Sequence, residues 1–172
     1  MRFAPVSVAL SLALAVAASS SHSAPVEVLD PRAAALEDAG RAALNAGEVD
    51  KATDAFESAL AIQPGSSRIT ISLAQAARMQ GMQGKALHYY RTVLSHDPQN
   101  IDAVAGEGET LAEKGALEKA RENLAKVESL GGKGGDAANR LAAAIAKGAL
   151  PNAAPKVVSA ADVAGKPATQ SN

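Results

Sequence analysis

Cysteine and tryptophan are both absent from the 172-residue sequence. Without a thiol the chain has no disulfide framework, no cysteine-ligated zinc and no thiol nucleophile. It also lacks the cysteine that carries the lipid of a bacterial lipoprotein. Aromatic residues make up only 2%, namely Phe3, Phe56, Tyr89 and Tyr90. A stacking platform for single-stranded nucleic acid needs several aromatic faces, and these four cannot supply it. An excess of either charge is missing too. Lysine and arginine total 17, aspartate and glutamate 18, and the net charge is −1. No basic face draws nucleic acid, and no block of like charge suits a membrane surface. Runs of Val, Ile, Thr and aromatics of the kind that form strands are few. Alanine is abundant instead. It loses no side-chain entropy in a helix and lets helices approach closely. The composition predicts an all-α chain.

The N-terminus reads as an address rather than as part of a fold. Arg2 gives a short positive start, and Val6 to Ala18 is an uncharged apolar run. Small residues follow at Ser19-Ser20-Ser21-His22-Ser23-Ala24. That order is the pattern of a secretory signal peptide over residues 1–23, with cleavage after Ala18 or after Ser23. At 1.5 Å per residue the run spans about 20 Å, short of the roughly 30 Å of a bilayer core. No twin arginine is present, so the general secretory route is expected. The expected location is periplasmic or secreted, without stable membrane insertion once the signal is removed.

Self-comparison then shows a 34-residue period. The segments Ala33–Ser66, Ser67–Asn100 and Ile101–Gly134 align without a gap. Gly47, Gly81 and Gly115 share one column, and Ala52, Ala86 and Ala120 another. Phe56, Tyr90 and Leu124 share a third, and Ala59, Val93 and Val127 a fourth. Pro64 and Pro98 align with Gly132, and Gly40 with Ala74 and Gly108. Each column has a physical reason. A glycine after a helical stretch can take the left-handed conformation that ends it. Small residues let two helices cross closely. The large residues fill the space between one helix pair and the next. A proline after the second helix cannot continue it. The helices are expected in pairs: about Arg32–Ala46 with Val49–Ile62, Ser67–Gln80 with Gln83–Ser95, and Asp102–Lys114 with Leu117–Ser129.

These columns resemble the signature of the tetratricopeptide repeat. The resemblance covers about 102 residues in three units. It implies a right-handed superhelical solenoid of three helix pairs spanning 32–148. Some positions depart from the pattern: Thr70 and Val104 replace a large first-helix aromatic, Glu107 an apolar residue, and Gly132 a proline. Residues 136–147 continue the register, with Leu141 and Ile145 where the second repeat has Leu73 and Ala77. This resembles the capping helix of such arrays, which covers an otherwise exposed apolar face. Asp136 is its expected N-cap, and Gly148 with Pro151 its expected stop. Residues 24–31 read as a linker. Residues 149–172, rich in Ala, Pro, Ser and Lys without period, read as a disordered tail.

Catalytic chemistry finds little support. His88 and His96 are eight apart, not at the four-residue spacing of a helical zinc pair. Gly131–Gly135 lacks the spacing of a phosphate loop and follows no strand. No Gly-x-Ser-x-Gly occurs. Glu107, Glu109 and Glu113 read as a solvated helix face. The expectation is therefore no catalytic residue, no metal, no cofactor and no enzyme activity. A helical muramidase-like enzyme would need a cleft with an isolated acid, and nothing marks one.

The resemblance implies binding instead. First helices of successive repeats line a concave groove that holds a protein or peptide segment. Here the groove residues would be Glu37, Arg41, Asn45, Arg68, Ile71, Gln75, Arg78, Asp102, Glu109 and Glu113. Chaperone-binding members carry a clamp of Lys, Asn and Arg for a C-terminal carboxylate. The aligned positions here are Glu37, Arg41, Ser72, Asp102 and Gly106, and none matches. Arg68 and Arg78 remain as attractors of an acidic ligand. The reading is a non-catalytic protein–protein interaction scaffold of the bacterial cell envelope. Two alternatives stand beside it. One is an assembly factor like those of tight-adherence pilus secretion, whose usual lipoprotein cysteine is missing here. The other is a structural protein that self-associates weakly through incompletely capped ends.

Overall fold

The computed structural model describes residues 27–131 and 133–149. The expected signal peptide, Gly132, and the tail from residue 150 lie outside the described residues. Seven helices follow one another: α1 Pro31–Asn45, α2 Val49–Ile62, α3 Ser67–Met79, α4 Gln83–His96, α5 Ile101–Glu113, α6 Leu117–Gly131 and α7 Asp136–Gly148. There is no strand among the described residues. The three expected pairs are all present.

The turn inside each pair is the same. Gly47, Gly81 and Gly115 have φ of 75°, 73° and 78°, a conformation open to glycine at little cost. Glu48, Met82 and Ala116 then donate their N–H groups to the carbonyls of Ala43, Ala77 and Leu111 at 2.8–2.9 Å. This is the six-to-one bond of a Schellman cap, which satisfies carbonyls the helix end would leave open. The first helices are also capped at their start. Asp30, Ser66 and Asn100 accept from the N–H groups of Arg32, Ile69 and Ala103. The bond from Arg32, with the other Arg32 contacts, holds the Asp30 carboxyl below its ordinary value.

Ala52, Ala86 and Ala120 are fully buried, one in each pair. Phe56 and Tyr90 are buried as well, but their rings rest on different helices. A Cβ on Gly40 of α1 would fall inside the Phe56 ring. The second repeat has Ala74 in that column. The Tyr90 ring lies instead against Gly106 of α5, where a Cβ would collide with it. The third residue of the column, Leu124, is only partly buried.

The cap helix α7 packs on α5 and α6. Leu141 is fully buried, and its Cδ2 would stand 2.8 Å from a Cβ on Gly108. Two expectations here need correction. Asp136 is the first helical residue rather than the N-cap, which is Gly135 with no side-chain bond. Its charge faces the positive end of the helix dipole instead. Gly148 does not stop the helix but is its last residue. A Cβ on it would come 2.6 Å from the Ala112 carbonyl oxygen, so its small size allows close packing on α5. Residues 27–30 of the expected linker are tied down. Glu27 accepts from the Arg68 N–H at 3.1 Å, and the Gln63 side chain accepts from the Asp30 N–H at 2.7 Å.

Ala86→Arg tests the register. It forces a charged chain into a fully packed crossing between α3 and α4. Thermal unfolding followed by circular dichroism should show a loss of at least about 3 kcal/mol. An unchanged melting temperature would contradict the crossing.

Candidate functional site

The first helices stand side by side, since α1 packs on α3, α3 on α5 and α5 on α7. Their shared face is the floor of the groove. Across that floor runs a ladder of ion pairs. Glu37 on α1 is fully buried; its Oε1 accepts a hydrogen bond from Arg41 Nε at 2.8 Å, and Arg68 Nε of α3 lies 2.7 Å from Oε2, an ion pair that completes no hydrogen bond. The Ser72 hydroxyl donates to it at 3.4 Å. Arg78 on α3 meets Glu109 of α5 at 2.5 Å and Glu113 at 3.3 Å. Arg140 on α7 reaches Glu109 at 3.6 Å and Asp102 at 3.7 Å.

The spacing of these pairs is regular. Glu37–Arg68, Arg78–Glu109 and Glu109–Arg140 are each 31 residues apart. Glu37–Ser72 and Arg78–Glu113 are each 35 apart. A position on one first helix therefore faces two positions on the next that differ by four residues, one helical turn.

Burial and charge act against each other along the ladder. Burial pulls the Arg78 guanidinium down, but the carboxylates of Glu109 and Glu113 outweigh it, and the group ends above its ordinary value. Burial pushes the Glu113 carboxyl up although Arg78 opposes the shift. Burial likewise raises the Tyr90 hydroxyl to about 12, against the opposing charge of Arg78. That hydroxyl is buried and completes no hydrogen bond.

A hollow of about 340 Å³ opens on this face. Its lining combines Asn45, Gln75, Arg78, Asp102 and Glu109 with Leu44, Met79, Tyr90, Gly106 and Arg140. Gly106, 31 residues after Gln75, lets the Tyr90 ring reach this floor, since a Cβ there would collide with the ring.

Five of the ten expected groove residues thus gather around one hollow, and the other five do not. Glu37 is not available to a partner, because Arg41 and Arg68 cover it. Ile71 is buried in the core with Ala74 and Tyr90. Arg41, Arg68 and Glu113 stand at the margin, each already paired. Arg68 and Arg78, expected to attract an acidic ligand, are each already paired with a carboxylate. Of Glu107, Glu109 and Glu113, expected as a solvated face, only Glu113 is exposed. Glu109 is buried, and Glu107 accepts from Arg91 at 2.7 Å and from Asn123 at 3.3 Å. That pairing explains an acid at a position where an apolar residue is usual. Sequence reasoning missed Leu44, Met79 and Arg140. The signal was present for the last, since Arg140 stands 31 residues after Glu109.

The model of a family described as the protein kinase G tetratricopeptide repeat matches residues 38–163. The chain belongs to the tetratricopeptide repeat family. The seven helices are accordingly a superhelical repeat array, with α7 closing its C-terminal end. Solved repeat domains superimpose on it. The Sgt2 domain from Aspergillus fumigatus is 25% identical, covering 84% of this chain and 91% of its own, with a TM-score of 0.62. The first repeat domain of Spaghetti (RPAP3), bound to the HSP90 peptide SRMEEVD, is 18% identical. It covers 69% of this chain and 95% of its own, with a TM-score of 0.60. The type III secretion chaperone SycD of Yersinia enterocolitica, in complex with a peptide of the translocator YopD, is also 18% identical. It covers 67% and 90%, with a TM-score of 0.58. No curated protein matches the chain. Among the described residues of this repeat array, no group of three His, Asp or Glu side chains stands ready to hold a metal ion.

The ladder makes an asymmetric prediction. In Glu37→Met, Arg41 and Arg68 stay solvated, because their side chains are 51% and 42% exposed. Stability should change by less than about 1 kcal/mol. Removing both arginines leaves a buried carboxylate without a counter-charge. Arg41→Ala with Arg68→Ala should cost about 3 kcal/mol and lower the melting temperature by about 10 °C. Equal losses in the two variants would contradict the burial of Glu37.

Proposed function

We propose that this chain is a non-catalytic adaptor that holds a segment of another polypeptide in the groove along α1, α3, α5 and α7. One observation carries the reading: a hollow of mixed polar and apolar lining opens among the first helices, its arginines and carboxylates already paired with one another. Concave sites of this kind are where helical arrays bind ligands. The RPAP3 and SycD structures each hold a bound peptide. That supports a peptide as the ligand class here.

Charge reversal in the groove is a poor test. Reversing Arg41, Arg68 or Arg78 would place like charge beside Glu37 or Glu109 and threaten the fold itself. Met79 is the better position. It is 54% exposed and lies on the hollow, so a polar residue there leaves the core untouched. Met79→Glu should keep its melting temperature and weaken partner binding at least about tenfold. Capture from cell-envelope extracts, compared between the two forms, measures it. Full partner recovery by Met79→Glu would refute the groove as the binding face.

The setting we propose is the bacterial cell envelope, reached by export. Arg2, the apolar run Val6–Ala18 and the small residues after it support this. Intact-mass measurement of the protein recovered outside the cytoplasm should show a chain that begins after Ala18 or Ser23. A mass that retains Met1 would refute cleavage.

A further inference from the structure

The charged groups of the groove cancel. Arg41, Arg68, Arg78 and Arg140 stand against Glu37, Asp102, Glu109 and Glu113, and each is in contact with a partner of opposite sign. Around the hollow itself Arg78 and Arg140 balance Asp102 and Glu109, so an incoming carboxylate or ammonium would meet no net charge there. It would also have to break a pair that is already formed, and an orphaned buried charge such as Glu109 is costly. The Tyr90 hydroxyl adds no charge to the floor: a phenol is neutral near pH 7, and burial pushes its ionisation further away.

What remains open to a ligand is uncharged. Leu44 and Met79 form an apolar wall, and Met79 is one of few large apolar side chains exposed among the described residues. A thioether on a flexible stem adapts to differently shaped apolar partners. Asn45 and Gln75 are exposed on the same hollow. A carboxamide both donates and accepts, which matches the alternating N–H and C=O groups of a peptide backbone. The volume of about 340 Å³ lies at the small end for a ligand pocket, enough for an anchoring side chain and adjoining backbone.

We propose that the hollow selects a polypeptide segment of no net charge, anchored by an apolar side chain on Leu44 and Met79 and by backbone hydrogen bonds to Asn45 and Gln75. The inference rests on the groove reading above and narrows it to one ligand class. It separates this protein from a groove built to capture an acidic terminus. It also implies affinity that hardly depends on salt, since no counter-ions are displaced from a self-neutralised surface.

The test uses the full chain and a phage-displayed library of random twelve-residue peptides. Peptides enriched on the native protein but not on Met79→Glu are read for composition. Their affinities are then measured by fluorescence polarisation at ~50 mM and ~300 mM salt. The expected result is a pool with mean net charge near zero and an excess of Leu, Ile, Met or Phe. Its dissociation constants should change less than about twofold with salt, and Met79→Leu should retain binding. A pool biased to acidic or basic peptides, or an affinity that falls tenfold or more with salt, would overturn the inference. The groove reading would survive that result, because the enrichment would still depend on Met79. Absence of any Met79-dependent peptide would overturn the inference as well, and partner capture by Met79→Glu would then decide the groove reading separately.

Discussion

Everything in this molecule depends on two helices crossing closely three times over. A methyl group is all that fits at the crossing, and Ala52, Ala86 and Ala120 supply it with no exposed surface. The glycine turn before each second helix sets the chain's reversal and satisfies the carbonyls of the first helix. Because all three crossings are alike and the segments are gapless, each pair stacks on the last in the same way. First helices then fall beside first helices. The groove is a consequence of that repetition and needs no separate code for its shape.

Its chemistry does need one. A stack of first helices brings side chains together at intervals of 31 and 35 residues, and the ladder occupies those intervals with opposite charges. Ion pairs on a protein surface contribute little when exposed. At Glu37 and Glu109 the carboxylates are buried although their arginines reach solvent, so those partners are obligatory: a buried carboxylate without its arginine is far costlier than the pair is favourable. The ladder consequently fixes register between repeats and neutralises the face at the same time. A fixed register and a neutral face are both properties of a surface that recognises by shape and neutral polar groups.

The fold was legible because period, glycine column and alanine column are local and repeat. Helix ends matched within a residue or two, since caps such as Ser66 and Asn100 stand where the sequence places them. The site was legible only by half. Glu37 reads as a solvated groove residue because a lone charge on a helix usually is one. Its burial depends on Arg68, a whole repeat away. Met79 and Leu44 were missed for the opposite reason. Apolar residues near a helix end read as core, and only the three-dimensional stack shows that Met79 is left uncovered.

Gly106 joins these two levels. Its missing side chain makes room for the Tyr90 ring from α4, and that ring then lines the hollow beside Gln75. The first repeat solves its aromatic packing differently, with Phe56 against Gly40 inside the same pair. The second repeat has Ala74 in the column of Gly40, and its Tyr90 ring rests across the repeat boundary on Gly106. The packing that couples the second repeat to the third is thus also part of the floor beside Asn45 and Gln75. A side chain restored at position 106 would have to displace that ring and so alter the lining of the hollow. Stability at this boundary and the shape of the hollow therefore depend on the same missing atom.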